Sequence, residues 1–468
     1  MSTFVVVGGD AAGMSAASKA KRDDPALNVV VFERGQWVSY GACGLPYYIK
    51  GEIQSLDDLV SVTPEQFCEQ RDIDLRTGHD VVDIDPTTRT VTARADGNEI
   101  VQEYDHLLVA TGATAVTPQI DGIDRTGVYT LGSMSDGKEL REYVSRARSE
   151  GDLQQPDRGP ACQFLETCNG PVGIVGGGYI GVEMAEALAA NDFEVHLFQR
   201  GDRVLKQFSE ATSETVLAHL EEQDVAVYLD TEVKALAGNE AVEAVVTTDE
   251  RVPVEMVLVG TGVRPRTTLA EAAGIELGET GAIATDRYRE TNLPDVYAAG
   301  DCAEAEHVVT GEPMSVPLAL TANRHGRAIG QTVAGNPTEG GGIAGTAAVK
   351  AFHVEAARTG LLDYEAREAG FDPITETIDA KSRAGYYPEG GTVRVTLTAD
   401  RPSGRVLGGS LVSEYGEGAV HRSHALVGAV TEGITVAELS DYDLAYAPPF
   451  NTTWDPVLTA AKVLEGNR

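Results

Sequence analysis

Twice in this chain, about 170 residues apart, an apolar strand runs into a glycine-rich turn, an alanine-rich helix and a second apolar strand. The first copy opens Phe4-Val5-Val6-Val7 and turns through Gly8-Gly9-Asp10-Ala11-Ala12-Gly13. It continues as a helix from Met14 to about Arg22 and closes with Val29 to Phe32, then Glu33. The second is Val172-Gly173-Ile174-Val175, then Gly176-Gly177-Gly178-Tyr179-Ile180-Gly181, a helix from Val182 to Ala190 and the strand Glu194 to Phe198. Each is a βαβ unit whose glycines bring a pyrophosphate against the free N–H groups of a helix N-terminus. Gly8 permits the tight turn, and Gly13 lets the helix pack closely on the strand. Two such units mean two dinucleotides, one for each.

The units differ where they meet an adenosine ribose. Glu33 stands at the end of the first unit's second strand, where an acid accepts hydrogen bonds from the ribose hydroxyls. The second unit has Gln199-Arg200 there, with Arg203 close by. An arginine without the acid suits the 2′-phosphate of NADP, so NADPH is expected ahead of NADH. The first fingerprint departs at its middle glycine, which is Asp10; its carboxylate must point away from the phosphates.

A length of 468 residues corresponds to roughly two to four domains. No run of ~18 apolar residues is present to span a bilayer. Met1-Ser2-Thr3 leads straight into a strand without the basic start of a signal peptide, which predicts a cytoplasmic protein with no membrane partner. Seventy-two acidic residues against 37 basic ones leave a formal charge of −35, spread along the chain. Such a surface argues against nucleic-acid binding, and it is the composition expected of a halophilic protein. The five cysteines (Cys43, Cys68, Cys162, Cys168 and Cys302) are too few and too irregular for a disulfide framework, and none falls in a metal-ligand spacing. Cys162 and Cys168 read as structural or incidental.

The chain resembles the FAD-dependent pyridine nucleotide–disulfide oxidoreductases over nearly its full length. Leu107-Leu108-Val109-Ala110-Thr111-Gly112 is similar to the strand that leaves the first FAD segment, and Val257-Leu258-Val259-Gly260-Thr261-Gly262 to its counterpart in the nicotinamide domain. Thr291 to Tyr297, then Ala298-Ala299-Gly300-Asp301, is similar to the second FAD motif, whose aspartate bonds the ribityl chain. The resemblance implies an α/β fold with two Rossmann-like dinucleotide-binding domains plus a C-terminal α+β dimerisation domain. The expected boundaries are 1–114 and 267–334 for FAD, 115–266 for NAD(P)H and 335–468 for dimerisation, giving a homodimer. Gly8, Gly13, Glu33, Thr111, Gly112 and Asp301 are expected to hold FAD, and Gly176, Gly178, Gly181 and Arg200 the nicotinamide cofactor. Arg148 to Asn169 is longer than the usual linker and reads as a surface insertion.

The redox segment narrows the branch. Ser39-Tyr40-Gly41-Ala42-Cys43-Gly44-Leu45-Pro46-Tyr47-Tyr48 has one cysteine where dithiol members have two, with Tyr48 in the second place. A single thiol must cycle through a mixed disulfide with a substrate or through a sulfenic acid. The segment resembles the single-cysteine coenzyme A–disulfide reductases, NADH oxidases and NADH peroxidases. The oxidases and peroxidases carry a histidine inside the first glycine-rich turn, where this chain has Ala11. Leu444-Ala445-Tyr446-Ala447-Pro448-Pro449-Phe450 is similar to the coenzyme A–disulfide reductases, in which a partner tyrosine faces the cysteine. Tyr387 is similar to a second such tyrosine.

The resemblance implies NADPH-driven reduction of coenzyme A disulfide, or a related small disulfide, through Cys43. Tyr446 and Tyr387 would protonate the departing thiolate. A depressed Cys43 pKa is expected from a following helix N-terminus and the nearby flavin. Lys19, Arg22, Ser39 and Arg71 occupy positions similar to coenzyme A contacts, with Lys21 beside them and His421 and Arg422 as weaker candidates from the partner. An NADH oxidase or peroxidase is the alternative, and a redox-sensing flavoprotein without turnover is a third reading.

Overall fold

The computed structural model describes residues 2–151 and 169–468, and no side chain of residues 148–151. The expected insertion lies mostly outside the described residues, as do Cys162 and Cys168. Val5, Val6, Leu107, Leu108, Val30 and Val31 are fully or almost fully buried, as strands covered on both faces require. They belong to a parallel five-stranded sheet in the order Val296–Ala298, His106–Val109, Thr3–Val7, Asn28–Phe32, Asp74–Arg76. A second parallel sheet follows the same plan, with Asn169–Val175 at its centre between Phe193–Phe198 and Met256–Val259. Ala226–Tyr228 and Val128–Tyr129 form its edges. In both, the strand that feeds the glycine-rich turn is central. That placement puts the turn at the carboxyl end of the sheet, where open α/β folds bind ligands.

The first sheet takes its edge strand, Val296–Ala298, from beyond the second sheet in sequence. Two short antiparallel strands, Ala113–Ala115 and Val263–Pro265, carry the chain out of the first unit and back. Beyond residue 346 the chain forms a five-stranded antiparallel sheet, ordered Ala347–Ala351, Val354–Gly360, Val406–Glu414, Thr392–Asp400, Pro373–Lys381. The helices Ala419–Glu432 and Pro456–Asn467 cover it, burying Leu426, Val430, Val457 and Leu464. The α/β class expected from the sequence holds.

One helix pair positions the site. Helix Ala11–Asp23 presents Ala12 and Ala16 to Gly326 and Gly330 of helix Ala319–Val333. A methyl group at Gly326 would lie 2.1 Å from the Ala12 carbonyl oxygen, so the helices touch backbone to backbone. Residues more than 300 positions apart thereby share one groove.

Candidate active site

The two glycine turns are built alike. Gly8 and Gly176 have φ of +112° and +111°, open to glycine and costly for other residues. A Cβ at Gly13 would lie 1.9 Å from the Gly8 oxygen, and one at Gly181 1.9 Å from the Gly176 oxygen. A Cβ at Gly178 or Gly112 would meet nothing within 4 Å, so open space lies over both positions, as a bound dinucleotide requires. Asp10 does not intrude in the first turn: its Oδ1 accepts the Tyr40 N–H at 3.2 Å. Burial, with Glu33 and Asp301 nearby, raises its pKa to about 6. Asp301 is itself pushed up by burial. Thr111 donates to the Arg266 carbonyl at 2.6 Å.

The ribose positions repeat one hydrogen bond with different chemistry. Glu33 Oε2 accepts the Gly9 N–H at 2.8 Å, and Gln199 Oε1 accepts the Gly177 N–H at 3.0 Å. The amide reproduces the brace of the carboxylate without its charge. Arg200 beside it is exposed.

Cys43 is exposed in a short 3-10 turn, Ala42–Gly44, ahead of helix Leu45–Lys50. The Ser39 N–H donates to the Gly9 carbonyl at 3.0 Å, tying this loop to the first glycine turn. The groups the chain itself supplies act on the thiol in the direction opposite to that expected of the helix start and the flavin together. The thiol is open to solvent on one side but closely surrounded by protein on the others; that partial desolvation comes first and the carboxylates of Glu183, Asp301 and Asp10 add to it, so the thiol is pushed up. Helix Leu45–Lys50 has only six residues.

Lys19, Arg22, Ser39 and Arg71 all line one cavity of about 360 Å³. Sequence reasoning missed its far wall: Asn323, Arg324 and Arg327, from helix Ala319–Val333, complete it, with Phe67 and Met14 beneath. Five cations therefore converge here, in a chain with twice as many acidic as basic residues. Lys19 is paired with Asp23 at 2.7 Å and Arg71 is bonded to Ser18 at 2.8 Å. Arg22 and Arg327 are exposed at its mouth. Lys21 turns away to Asp72 and does not line the cavity.

In the C-terminal region the hydroxyl that meets Tyr446 is that of Tyr386, at 3.1 Å, one residue before the expected Tyr387. Tyr386, Tyr446, Phe450 and Trp454 are exposed aromatic side chains of one chain. Arg422 is no free cation: it bonds Asp455 at 3.1 Å and the carbonyls of Ser382 and Phe450 at 2.6 and 2.9 Å.

Two glycine turns on parallel sheets, each with open space beside it, and an exposed cysteine tied to the first define a flavin- and nicotinamide-dependent oxidoreductase. The chain belongs to the pyridine nucleotide-disulphide oxidoreductase family, whose model matches residues 2–326, and its dimerisation domain matches residues 346–456. It is similar to the NAD(P)H coenzyme A polysulfide/persulfide reductase of Pyrococcus horikoshii, 37% identical over 98% of both chains. It is also similar to the NADH oxidase of Methanocaldococcus jannaschii, at 30% identity over 98% of this chain and 97% of that one. Among solved structures, the NAD-dependent persulfide reductase from A. fulgidus superposes with a TM-score of 0.91 at 35% identity. That match covers all of this chain and 83% of the other. FAD and NAD(P)H are the family's cofactors, and disulfide reduction its chemistry. No helix among the described residues is long and apolar enough to cross a membrane.

Proposed function

We propose that this enzyme reduces coenzyme A disulfide, or the related coenzyme A persulfide, with NADPH, through a mixed disulfide on Cys43. The observation that carries the reading is the cationic cavity flanked by Ser39, on the same loop as the thiol. Coenzyme A brings several phosphate charges and a sulfur at the end of a long arm, which matches cations at one end and a thiol at the other. The polysulfide/persulfide reductase relative points the same way. Gly8, Gly13, Glu33, Thr111, Gly112 and Asp301 would hold FAD, and Gly176, Gly178, Gly181 and Arg200 NADPH. FAD, when bound, supplies the electron pair from NADPH that breaks the Cys43 mixed disulfide. Lys19, Arg22, Arg71, Asn323 and Arg327 seat the phosphates.

The Cys43 thiolate attacks one sulfur of the disulfide, the Cys43–CoA bond forms, and a coenzyme A thiolate leaves. In the homodimer the partner subunit's Tyr446, held by the hydroxyl of Tyr386, donates a hydrogen bond to that thiolate. Tyr387 would be the second phenol near that thiolate, and Tyr386 the one that braces Tyr446.

Anaerobic NADPH oxidation with coenzyme A disulfide as sole acceptor tests the reading, and steady turnover is expected. Inertness toward the disulfide, with fast oxidation once oxygen or peroxide is admitted, would transfer the assignment to sulfenic-acid chemistry, as in the NADH oxidase relative. Gln199 in place of an acid at the strand end, with Arg200 next to it, makes a second prediction. Arg200→Glu should raise KM for NADPH by about tenfold and leave NADH within about twofold, since a charge-assisted contact is worth ~1.5–3 kcal/mol before solvent screening. Equal loss with both nucleotides would remove the arginine from 2′-phosphate recognition.

A further inference from the structure

Two glutamates, one helical turn apart on helix Tyr179–Ala189, sit in opposed environments. Glu186 is buried and fully engaged. It accepts from Lys50 at 2.7 Å, from Lys350 and from the Phe352 N–H at 2.7 Å, and these partners hold it ionised. Among the described residues no lysine is ion-paired with Glu183, and Lys350 acts on it only at longer range. Among the described residues the Glu183 Oε1 accepts the Tyr47 hydroxyl, at 3.0 Å, and burial outweighs that bond to raise its pKa to about 7. Environments that split two like carboxylates in this way mark out a proton-handling group.

Tyr47 lies on helix Leu45–Lys50, which begins two residues after Cys43. Of the carboxylates that bear on the Cys43 thiol, Glu183 weighs most, ahead of Asp301 and Asp10. The charged and titratable groups facing Glu183 are Tyr47, Cys43, Glu186 and Lys350; Glu52 bears on Tyr47 from the far side.

We propose that Glu183, held by Tyr47, is a positioning residue that stores the proton exchanged whenever Cys43 changes between its disulfide-bonded and thiolate forms. In the mixed disulfide the Cys43 sulfur is neutral, and Glu183 is free to ionise. When that disulfide takes two electrons from the enzyme's NAD(P)H-driven activity, the S–S bond breaks into the Cys43 thiolate and the departing thiolate. Two negative charges at Cys43 and Glu183 are then disfavoured, so Glu183 takes one proton from water. When Cys43 attacks the next disulfide its charge leaves with the expelled thiolate, and Glu183 releases the proton. One proton is gained and one lost per cycle, and no further oxidant or reductant is needed.

The inference rests on Cys43 being the working thiol. Its test reads Cys43 directly, so failure here leaves the proposed reductase activity to its own assay. The enzyme with FAD bound is reduced with dithiothreitol and desalted anaerobically. Iodoacetamide labelling of the Cys43 peptide is then followed by mass spectrometry from pH 5 to 10 in wild type, Glu183→Gln, Glu183→Asp and Tyr47→Phe. The wild-type profile should rise in two coupled steps, one of them near pH 7.

Glu183→Gln should collapse it to one step and speed labelling at pH 8 by about three- to tenfold, as a thiol pKa lowered by half to one unit requires. Tyr47→Phe removes the bond that favours the charged carboxylate, so Glu183 stays protonated to higher pH. Its profile should move the same way by a smaller amount, and Glu183→Asp should restore two steps. A Glu183→Gln profile identical to wild type, at equal FAD content, overturns the proposal. If Glu183→Gln does not fold, an unchanged Tyr47→Phe profile overturns it equally.

Discussion

Cys43→Ser should abolish anaerobic NADPH oxidation with coenzyme A disulfide, by at least about a thousandfold, as loss of an attacking nucleophile does. The FAD absorbance should remain. The residues proposed to hold FAD are the turn at Gly8 and Gly13, Glu33, Thr111, Gly112 and Asp301, and the Cys43 side chain is exposed. A serine there removes one sulfur and fills no new space. The alkoxide it would need is far harder to form than a thiolate, because the carboxylates that push Cys43 up act on any anion at that position. Retained turnover with bound FAD would mean that another sulfur, or the flavin alone, reduces the disulfide. Cys302 is buried and cannot meet a substrate, so Cys68 would be the described cysteine to examine next.

Local pattern carried much of this architecture into the sequence. Each glycine turn is a short contiguous string between a strand and a helix, and its demands are met by neighbours a few residues away, as with Gly13 and the Gly8 carbonyl. The single thiol was legible for the same reason, since Cys43 and Tyr48 are separated by a fixed short spacing. Part of one wall of the cavity could be read too, because Lys19, Arg22, Ser39 and Arg71 lie in three stretches near the N-terminus. Its other wall could not. Asn323, Arg324 and Arg327 are ordinary polar residues on an amphipathic helix, and only the contact of Gly326 with Ala12 brings them round.

Long-range pairing also hid the acid chemistry. Tyr47 and Glu183 are 136 residues apart, and nothing in either segment announces the other. For Cys43 the chain's own groups act against the stabilisation expected of the helix start and the flavin. A helix start was visible in the sequence, whereas the carboxylates of Glu183 and Asp301 reach the thiol only through tertiary packing. The pairing of Tyr386 with Tyr446 was not legible, because adjacent tyrosines in a turn differ only in which way they point. The hydroxyl that meets Tyr446 belongs to Tyr386.

The pocket itself makes the remaining large prediction. Arg22→Ala with Arg327→Ala should raise KM for coenzyme A disulfide by roughly a hundredfold while kcat changes less than about threefold. Each arginine is expected to supply a charge-assisted hydrogen bond to phosphate, worth about 1.5–3 kcal/mol and reduced by exposure, so about tenfold apiece is reasonable. The two come from helices Ala11–Asp23 and Ala319–Val333 and no bond joins their side chains, so their effects should add approximately. Uniform loss of binding, with the chemical step untouched, is the kinetic mark of a phosphate anchor far from the reacting sulfur.

An internal control comes from the substrate. A small disulfide without phosphates, such as cystamine, has nothing for these arginines to hold. Its kcat/KM should be poor in the wild type and unchanged in the double variant. The gap between the two substrates should then shrink by the same hundredfold. If both substrates lose equally, the arginines support the fold of the groove. If neither changes, the phosphates are seated elsewhere and the cavity at Arg22 and Arg327 serves another anion.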